Sequence, residues 1–409
     1  MRVAITYQHS LYLGGSERVL EILADMYPAA DFFCMVARRD AIPEKLRGRV
    51  IHTTFLNAIP GVKKLYPYLL FAGPLAAETL DLRGYDLVIS SDGSHTMGVI
   101  TDQDSCHLCY CHSPHRSLWD QYSEYRSSLR WPVRPLFTMS AHYARDRNFL
   151  AAQRIDKFIA NSEYIAKRIL KFYRRSSTVI YPPVNTEQGY LAKGYDSYYL
   201  SVGRLSHLKR LDLPILACNQ LKRRLIVVGT GPEEKRLRKI AGPTIEFLGR
   251  VSDEELGRLY SRCRAFLFAS DEDFGIVPVE AQSYGRPVIA FGHGGSLETV
   301  VHSGPEANRT GLLFPEQTVE SIRAAILRFE SVEHCFRPEM IQAHARQFST
   351  ADFVLKMSEF VESAYSKNSL IPSVSGADLQ VCGCPPGQPR RGLPWPTNDN
   401  ENPGTTHSL

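Results

Sequence analysis

Apolar residues in the first half of the chain fall into short runs separated by stretches with helical spacing. Residues 3–7, 87–90, 107–111, 157–160 and 178–181 are four or five residues long and largely apolar, the pattern of buried strands. After Gly14-Gly15-Ser16, Val19, Leu20, Leu23 and Met26 recur on one side of a helix. This alternation predicts a doubly wound α/β domain. Tyr181-Pro182-Pro183-Val184-Asn185 ends it, because proline cannot extend a ladder, and the polar, glycine-containing stretch 188–197 reads as a linker. The pattern then restarts, with strand-like runs at 198–202, 224–228, 245–248, 265–268, 288–291 and 311–314. Ser349-Thr350-Ala351-Asp352 has capping-box spacing and opens a helix striped by Phe353, Met357, Phe360 and Ala364. The predicted organisation is two Rossmann-like α/β domains, 1–187 and 188–348, a helix over 349–366 returning to the first, and a Pro/Gly/Ser/Asn-rich disordered tail over 367–409.

The length of 409 residues agrees with two domains. No apolar run has bilayer length, and the chain enters a strand at once, without a charged segment and an apolar core of signal type, so the expected compartment is the cytoplasm. The nine cysteines are scattered. Cys106 and Cys109 have zinc-ligand spacing, but no second pair matches them, and with Cys111 they read as small apolar residues on a strand. The formal charge of +5 is uneven. Between His112 and Arg175 there are 13 Lys/Arg against 5 Asp/Glu, interleaved with Tyr125, Leu129, Trp131, Phe137, Tyr143 and Phe149. Such a stretch fits a solvated helical face or a contact with an anionic membrane. No helix-turn-helix, RNP or zinc-finger pattern supports nucleic-acid binding.

Candidate chemistry concentrates in Glu272-Asp273-Phe274-Gly275-Ile276-Val277-Pro278-Val279-Glu280. The segment lies between two predicted strands, so it should leave the carboxyl end of a parallel strand and open a helix, with Glu272 in the turn and Glu280 in the first helical turn. Ligands of open α/β sheets bind there, free N–H groups of the helix suit an anion, and carboxylates suit sugar hydroxyls. Acidic residues also complement a helix dipole without any ligand. Gly203-Arg204-Leu205-Ser206-His207-Leu208-Lys209 follows a predicted strand and offers two cations to a diphosphate, or two solvated charges. Gly229-Thr230-Gly231-Pro232 begins like a dinucleotide fingerprint, but the third glycine is missing and Glu233-Glu234 would repel a phosphate, which excludes a Rossmann dehydrogenase.

Taken in order, these motifs resemble retaining glycosyltransferases of family 4 with the GT-B fold. Glu272 through Glu280 matches that family's E-x7-E motif, Gly203-Arg204 with Lys209 its donor-phosphate motif, and Phe247-Leu248-Gly249-Arg250-Val251 the segment that meets the base. Gly14-Gly15-Ser16-Glu17 matches its N-terminal glycine loop. Tyr110-Cys111-His112-Ser113-Pro114-His115-Arg116 with Trp119-Asp120, and Val179-Ile180-Tyr181-Pro182-Pro183-Val184, are similar to bacterial mannosyltransferases of O-antigen and exopolysaccharide assembly. Ser113 and His115 replace their usual threonine and methionine.

The resemblance implies transfer of a hexose from a nucleotide sugar, GDP-mannose first, with retention, onto a lipid-linked saccharide acceptor at the inner face of the membrane. By the same resemblance, Glu280 binds ribose and Glu272 the sugar hydroxyls, while Phe274, Gly275, Ile276 and Val277 hold sugar and phosphate. Arg250 and Val251 meet the base, Arg204 and Lys209 neutralise the leaving diphosphate, Gly14 and Gly15 let the first domain close on it, and His112 sits on the opposite wall. No cofactor or metal is implied, since the two cations take that role. A UDP-sugar donor, a GT-B nucleotide-sugar epimerase and a non-catalytic binding protein are the competing readings. The histidine-serine-proline segment argues against the epimerase, and the intact motifs argue against the binding protein.

Overall fold

The computed structural model describes residues 1–10, 15–62 and 70–369. Of the expected tail 367–409, residues 367–369 instead continue the last helix, and the part from 370 onward lies outside the described residues, as does Gly14. The first sheet contains β1 (Val3–Ser10), β2 (Asp31–Ala37), β3 (Ile51–Thr53), β4 (Leu87–Ser91), β5 (Cys106–Cys111), β6 (Lys157–Ala160) and β7 (Ser177–Val179), in the order β3-β2-β1-β4-β5-β6-β7. The second contains β8 (Tyr198–Val202), β9 (Arg224–Val228), β10 (Ile245–Gly249), β11 (Ala265–Phe268), β12 (Val288–Phe291) and β13 (Gly311–Phe314), in the order β10-β9-β8-β11-β12-β13. The ladders are parallel, which makes both units Rossmann-like. Strand order reverses between β1 and β4 in one sheet and between β8 and β11 in the other. The loops after these strands therefore border a crevice in each sheet. The segments 203–209 and 272–280 follow β8 and β11, while the His112 segment follows β5 and Arg250-Val251 follow β10.

Two strands of the first sheet go beyond the sequence expectation. In β2, the run Phe32–Val36 is buried throughout, so it has no polar alternation to distinguish strand from buried helix. β3 is a three-residue edge strand, too short to show a period. β7 ends at Val179, earlier than the expected 181, and Tyr181 instead packs edge-on against Phe348 with ring centroids 5.1 Å apart.

The chain passes between the sheets twice, before β8 and again near Phe348. The two passages lie side by side: Val184 N–H donates to Phe348 O at 2.9 Å, and Val184 bridges Ser349. Ser349 Oγ then accepts from Asp352 N–H at 3.1 Å, capping the helix Thr350–Ser369. On that helix Phe353, Met357, Val361 and Ala364 are buried with Ile5, Leu20 and Tyr110 of the first domain, while Phe360 is partly buried. Cys106 joins this cluster, whereas Cys109 and Cys111 face the opposite side with Phe158 and Tyr173. The cysteine pair with zinc spacing thus points to opposite faces of β5, as residues an odd number apart on a strand must. No helix among the described residues is long and apolar enough to cross a membrane.

Candidate active site

The E-x7-E segment leaves β11 and opens the helix Ile276–Ser283. Gly275 caps it at φ 85°, a left-handed conformation that glycine adopts without the Cβ penalty. Glu280 falls in the second helical turn, not the first, because the helix already starts at Ile276, directly after Gly275, and Glu280 is its fifth residue. Glu272 pairs with Lys209 from the loop after β8. Phe274 is buried with Val184, Val279, Ala345 and Phe348 beside the two chain passages. Behind the loop, Gly295 N–H donates to Glu272 O at 2.9 Å, and a Cβ on Gly295 would lie 2.2 Å from Phe274 O. The backbone of 272–274 is therefore seated on a glycine floor.

The opposing wall comes from the loops after β4 and β5. Asp92 is buried and its carboxylate accepts from the N–H groups of Gly93, Ser94 and Thr96 at 2.7, 2.9 and 2.8 Å, which fixes the first loop. His112 Nε2 lies 2.8 Å from Ser91 Oγ, and its carbonyl accepts from Asn161 Nδ2 at 2.9 Å. Burial pushes the His112 imidazole down to about 4, so it is neutral at physiological pH. Gly15, at the start of the helix Gly15–Met26, closes the gap between domains: a Cβ there would lie 3.1 Å from Ile276 Cδ1.

A cavity of about 790 Å³ lies between these walls, lined by Gly15, His112, Arg204, Lys209, Glu272 and the segment Phe274-Gly275-Ile276-Val277, among others. Of the expected site residues, this cavity brings those together. Glu280 and Arg250 line a neighbouring space of about 1250 Å³ with Arg18 and Tyr260. There Tyr260 Oη donates to Glu280 Oε2 at 3.1 Å, and Arg18 Nη1 stands 3.5 Å from Glu280 Oε1. Val251 packs against the apolar cluster around Leu259 and Tyr260, and Gly203 lies at the end of β8, with its N–H bonded to Val228 O at 3.0 Å.

A family model described as "Glycosyl transferases group 1" matches residues 185–347, and one described as "Glycosyltransferase Family 4" matches residues 13–188. The chain belongs to glycosyltransferase family 4. Alpha-1,3/1,6-mannosyltransferase ALG2 of Mus musculus is 28% identical over 233 residues, covering 48% of this chain and 54% of that protein. Putative colanic acid biosynthesis glycosyltransferase WcaL of Salmonella typhimurium is 31% identical over 185 residues, covering 41% and 44%. The chain spans about half the length of these curated relatives. Among solved structures, Anabaena Alr3699/HepE in complex with UDP superposes with a TM-score of 0.66 at 19% identity, covering 89% of this chain and all of that one. Sucrose-phosphate synthase from Thermosynechococcus elongatus does so with 0.65 at 19%, covering 90% and 100%. At such identity the likeness is one of fold, the GT-B pair of Rossmann-like domains.

Several residues that line or brace the cleft carry no signal in the sequence taken alone. Arg18 and Tyr260 are ordinary helix residues until folding sets them on Glu280. Gly295 lies outside every motif singled out in the sequence, yet it supports the 272–274 loop. Gly295→Ala should therefore keep the fold but displace that loop. We expect transfer to fall about tenfold to a hundredfold and stability to fall by about 1–3 kcal/mol, because the clash is with buried backbone; unchanged steady-state kinetics would show that the loop does not depend on this floor.

The basic stretch resolves into two groups. Arg145 Nε donates to Leu118 O at 2.6 Å, Arg154 pairs with Glu78 at 2.9 Å, and Arg168 and Arg175 bind carbonyls inside the domain. On the outer side of the helix Arg134–Gln153, Leu136, Met139, Tyr143 and Leu150 form an exposed stripe at helical spacing, and Trp131 beside it is 79% exposed. Leu136 also lines an apolar cavity of about 370 Å³, with Leu56, Val133 and Phe137, whose walls include His115 and Arg116. Arg116 lines the cleft cavity as well.

Proposed function

We propose that this chain transfers mannose from GDP-mannose, with retention, onto a lipid-linked saccharide in cell-surface glycan assembly. The observation that carries the reading is the single cavity in which Arg204, Lys209 and the amino end of the helix Ile276–Ser283 face His112. The donor diphosphate would lie against the two cations and the N–H groups of that helix, which stabilise charge as it develops on the leaving phosphate. Glu272 would exchange its contact with Lys209 for hydroxyls of the transferred sugar. Glu280, with Tyr260 and Arg18, would hold the ribose, next to Arg250 at the base. Neutral His112, oriented through Ser91, would hydrogen-bond sugar or acceptor without repelling the oxocarbenium-like centre. The leaving phosphate would take the acceptor proton on the front face. Arg204 and Lys209 would serve where other enzymes use a divalent metal, so no cofactor is needed.

The acceptor side supports a lipid carrier. The apolar cavity reaches Arg116 at the cleft, and the exposed stripe of Leu136, Met139, Tyr143 and Leu150 beside Trp131 suits peripheral contact with an anionic membrane from the cytoplasmic side. Similarity to ALG2 supports mannose. A UDP-sugar donor is the second reading, favoured by the solved complex of HepE with UDP-glucose.

The test is transfer of radiolabel from GDP-mannose, beside UDP-glucose, UDP-galactose and UDP-N-acetylglucosamine, into a bacterial lipid extract. Label from GDP-mannose supports the proposal. Label from a UDP sugar alone transfers the argument to that donor, and conversion of a donor without acceptor defeats the transferase reading in favour of epimerisation.

A further inference from the structure

Asp273 stands between the two glutamates of interest in sequence, and its carboxylate meets the first domain. Its Oδ1 accepts from Arg116 Nη2 at 2.7 Å and from Arg168 Nη1 at 3.2 Å, both from the first domain. Arg168 is held by first-domain groups as well: Nη1 donates to Ser113 Oγ at 2.7 Å, while Nη2 donates to Pro114 O at 3.2 Å and Asp120 Oδ1 at 2.8 Å. The Arg168 side chain is only 7% exposed. Without Asp273, two guanidiniums would face one carboxylate, leaving one positive charge on the wall of the cleft. Asp273 makes the cluster neutral. The first domain therefore presents a preassembled receptor for one carboxylate, and the donor-side loop supplies it.

A second contact grips the same element. Arg168 lies on the helix Glu163–Tyr173. Glu298, which follows the glycine floor, accepts from the N–H groups of Glu163 and Tyr164 at 2.7 and 2.9 Å, at the start of that helix. Tyr164 also meets His293 edge-on at 5.4 Å. The second domain thus holds this helix at its amino end and again at Arg168.

We propose that Asp273 with Arg116 and Arg168 forms a closure latch that couples the donor loop to the acceptor loop. Arg116 and Arg168 are positioning residues: they hold Asp273, and through it Glu272 and the helix amino end, in register with His112 and the 113–120 segment only when the domains are together. When the domains part, Asp273 loses both arginines, while Arg168 keeps Ser113, Pro114 and Asp120. The acceptor wall stays ordered and the donor loop is released, which withholds the productive donor geometry until water has been excluded. The latch rests on the chain being a glycosyltransferase and not on the identity of the sugar.

The experiment compares wild type with Asp273→Asn, Arg168→Gln, Arg168→Lys and the double variant Asp273→Asn/Arg168→Gln, using whichever nucleotide sugar the wild type turns over. Each neutralising variant should lower kcat about tenfold or more, leave the donor KM within about threefold, and raise the share of donor lost to water. The double variant should be no worse than the more impaired single one, because both remove the same contact. Arg168→Lys should recover part of the loss. Multiplying effects, or an unchanged partition between transfer and hydrolysis, would overturn the latch. Small-angle scattering of the full chain with GDP and with UDP reads closure without turnover. Wild type should contract with its nucleotide and the neutralising variants should contract less; equal contraction in variants that melt like wild type would also overturn it.

Discussion

Lys209→Ala is expected to lower transfer by about 10²–10³-fold, the usual loss when one preorganised group facing developing charge is removed. Lys209 stands at the end of a short 3-10 turn after β8, and its ammonium reaches across to Glu272 on the loop after β11. The two loops belong to the strands that flank the order reversal of the second sheet, so the pair spans the crevice where a diphosphate would lie. Removing the ammonium takes away a counter-charge for the leaving group and leaves Glu272 facing the diphosphate without its cation. Both effects raise the barrier. Stability should change little, because the Lys209 side chain is 32% exposed and a solvated ion pair contributes about 1 kcal/mol or less. Lys209→Arg should retain more activity than alanine but less than wild type, since a planar fork replaces a compact charge. The measurement is kcat at saturating donor and acceptor. A loss below about threefold would show that Lys209 carries none of the charge stabilisation assigned to it.

The contrast between Lys209 and Arg168 shows what a sequence reveals and what only folding does. Lys209 is legible because it follows a strand-like run and a glycine, a local pattern with a local meaning. The same holds for most strands of both sheets, whose apolar runs stand out against polar surroundings. Arg168 reads as one of many cations in a basic stretch. Its partner Asp273 lies 105 positions away, and Arg116 and Asp273 are 157 apart. No periodicity spans such distances, so the interdomain network could not be inferred from the residues. The direction of the positive charge is likewise hidden in the sequence: Arg145 and Arg168 turn inward to carbonyls or carboxylates, while Arg126, Arg130 and Arg147 stay exposed beside Leu136, Met139, Tyr143 and Leu150. Glu280 lies in the second helical turn because the helix begins as soon as Gly275, at positive φ, has closed the turn, earlier than the spacing of the two glutamates suggests.

The second large effect should appear in acid. Four histidines surround the inner wall of the first domain: His95, His107, His112 and His115. Burial pushes His95 and His107 down to about 3, and His112 and His115 down to about 4, from an ordinary value of 6.5. His115 adds to the shift of His95, and Arg154 to that of His107. In the unfolded chain these rings take up protons as the pH falls below 6.5; in the folded protein they stay neutral until about 3 to 4. The unfolded state therefore binds more protons across that window, and stability falls as pH falls through it. At pH 5, His95 and His107, which are 7% and 1% exposed, should each cost about 2 kcal/mol relative to neutral pH. His112 and His115 keep part of their surface in the cleft, so solvent reduces their share. Asp92 and Asp273 act in the opposite sense, because burial raises their carboxyls and the folded protein accepts those protons earlier than the unfolded chain. Glu280 and Glu298, whose carboxyls burial also raises, act the same way. The histidine loss therefore sets in below about pH 6.5 and nears its full slope by about pH 5, with the raised carboxyls offsetting part of it as each takes up its proton. Against a typical total of about 5–15 kcal/mol, that loss is large enough to lower the melting transition measurably. Calorimetry at half-unit steps from pH 7.5 to 4.5 reads it directly, and His107→Gln should flatten the slope. A melting temperature that stays level from pH 7 to 5 would mean that these rings are not held neutral by burial.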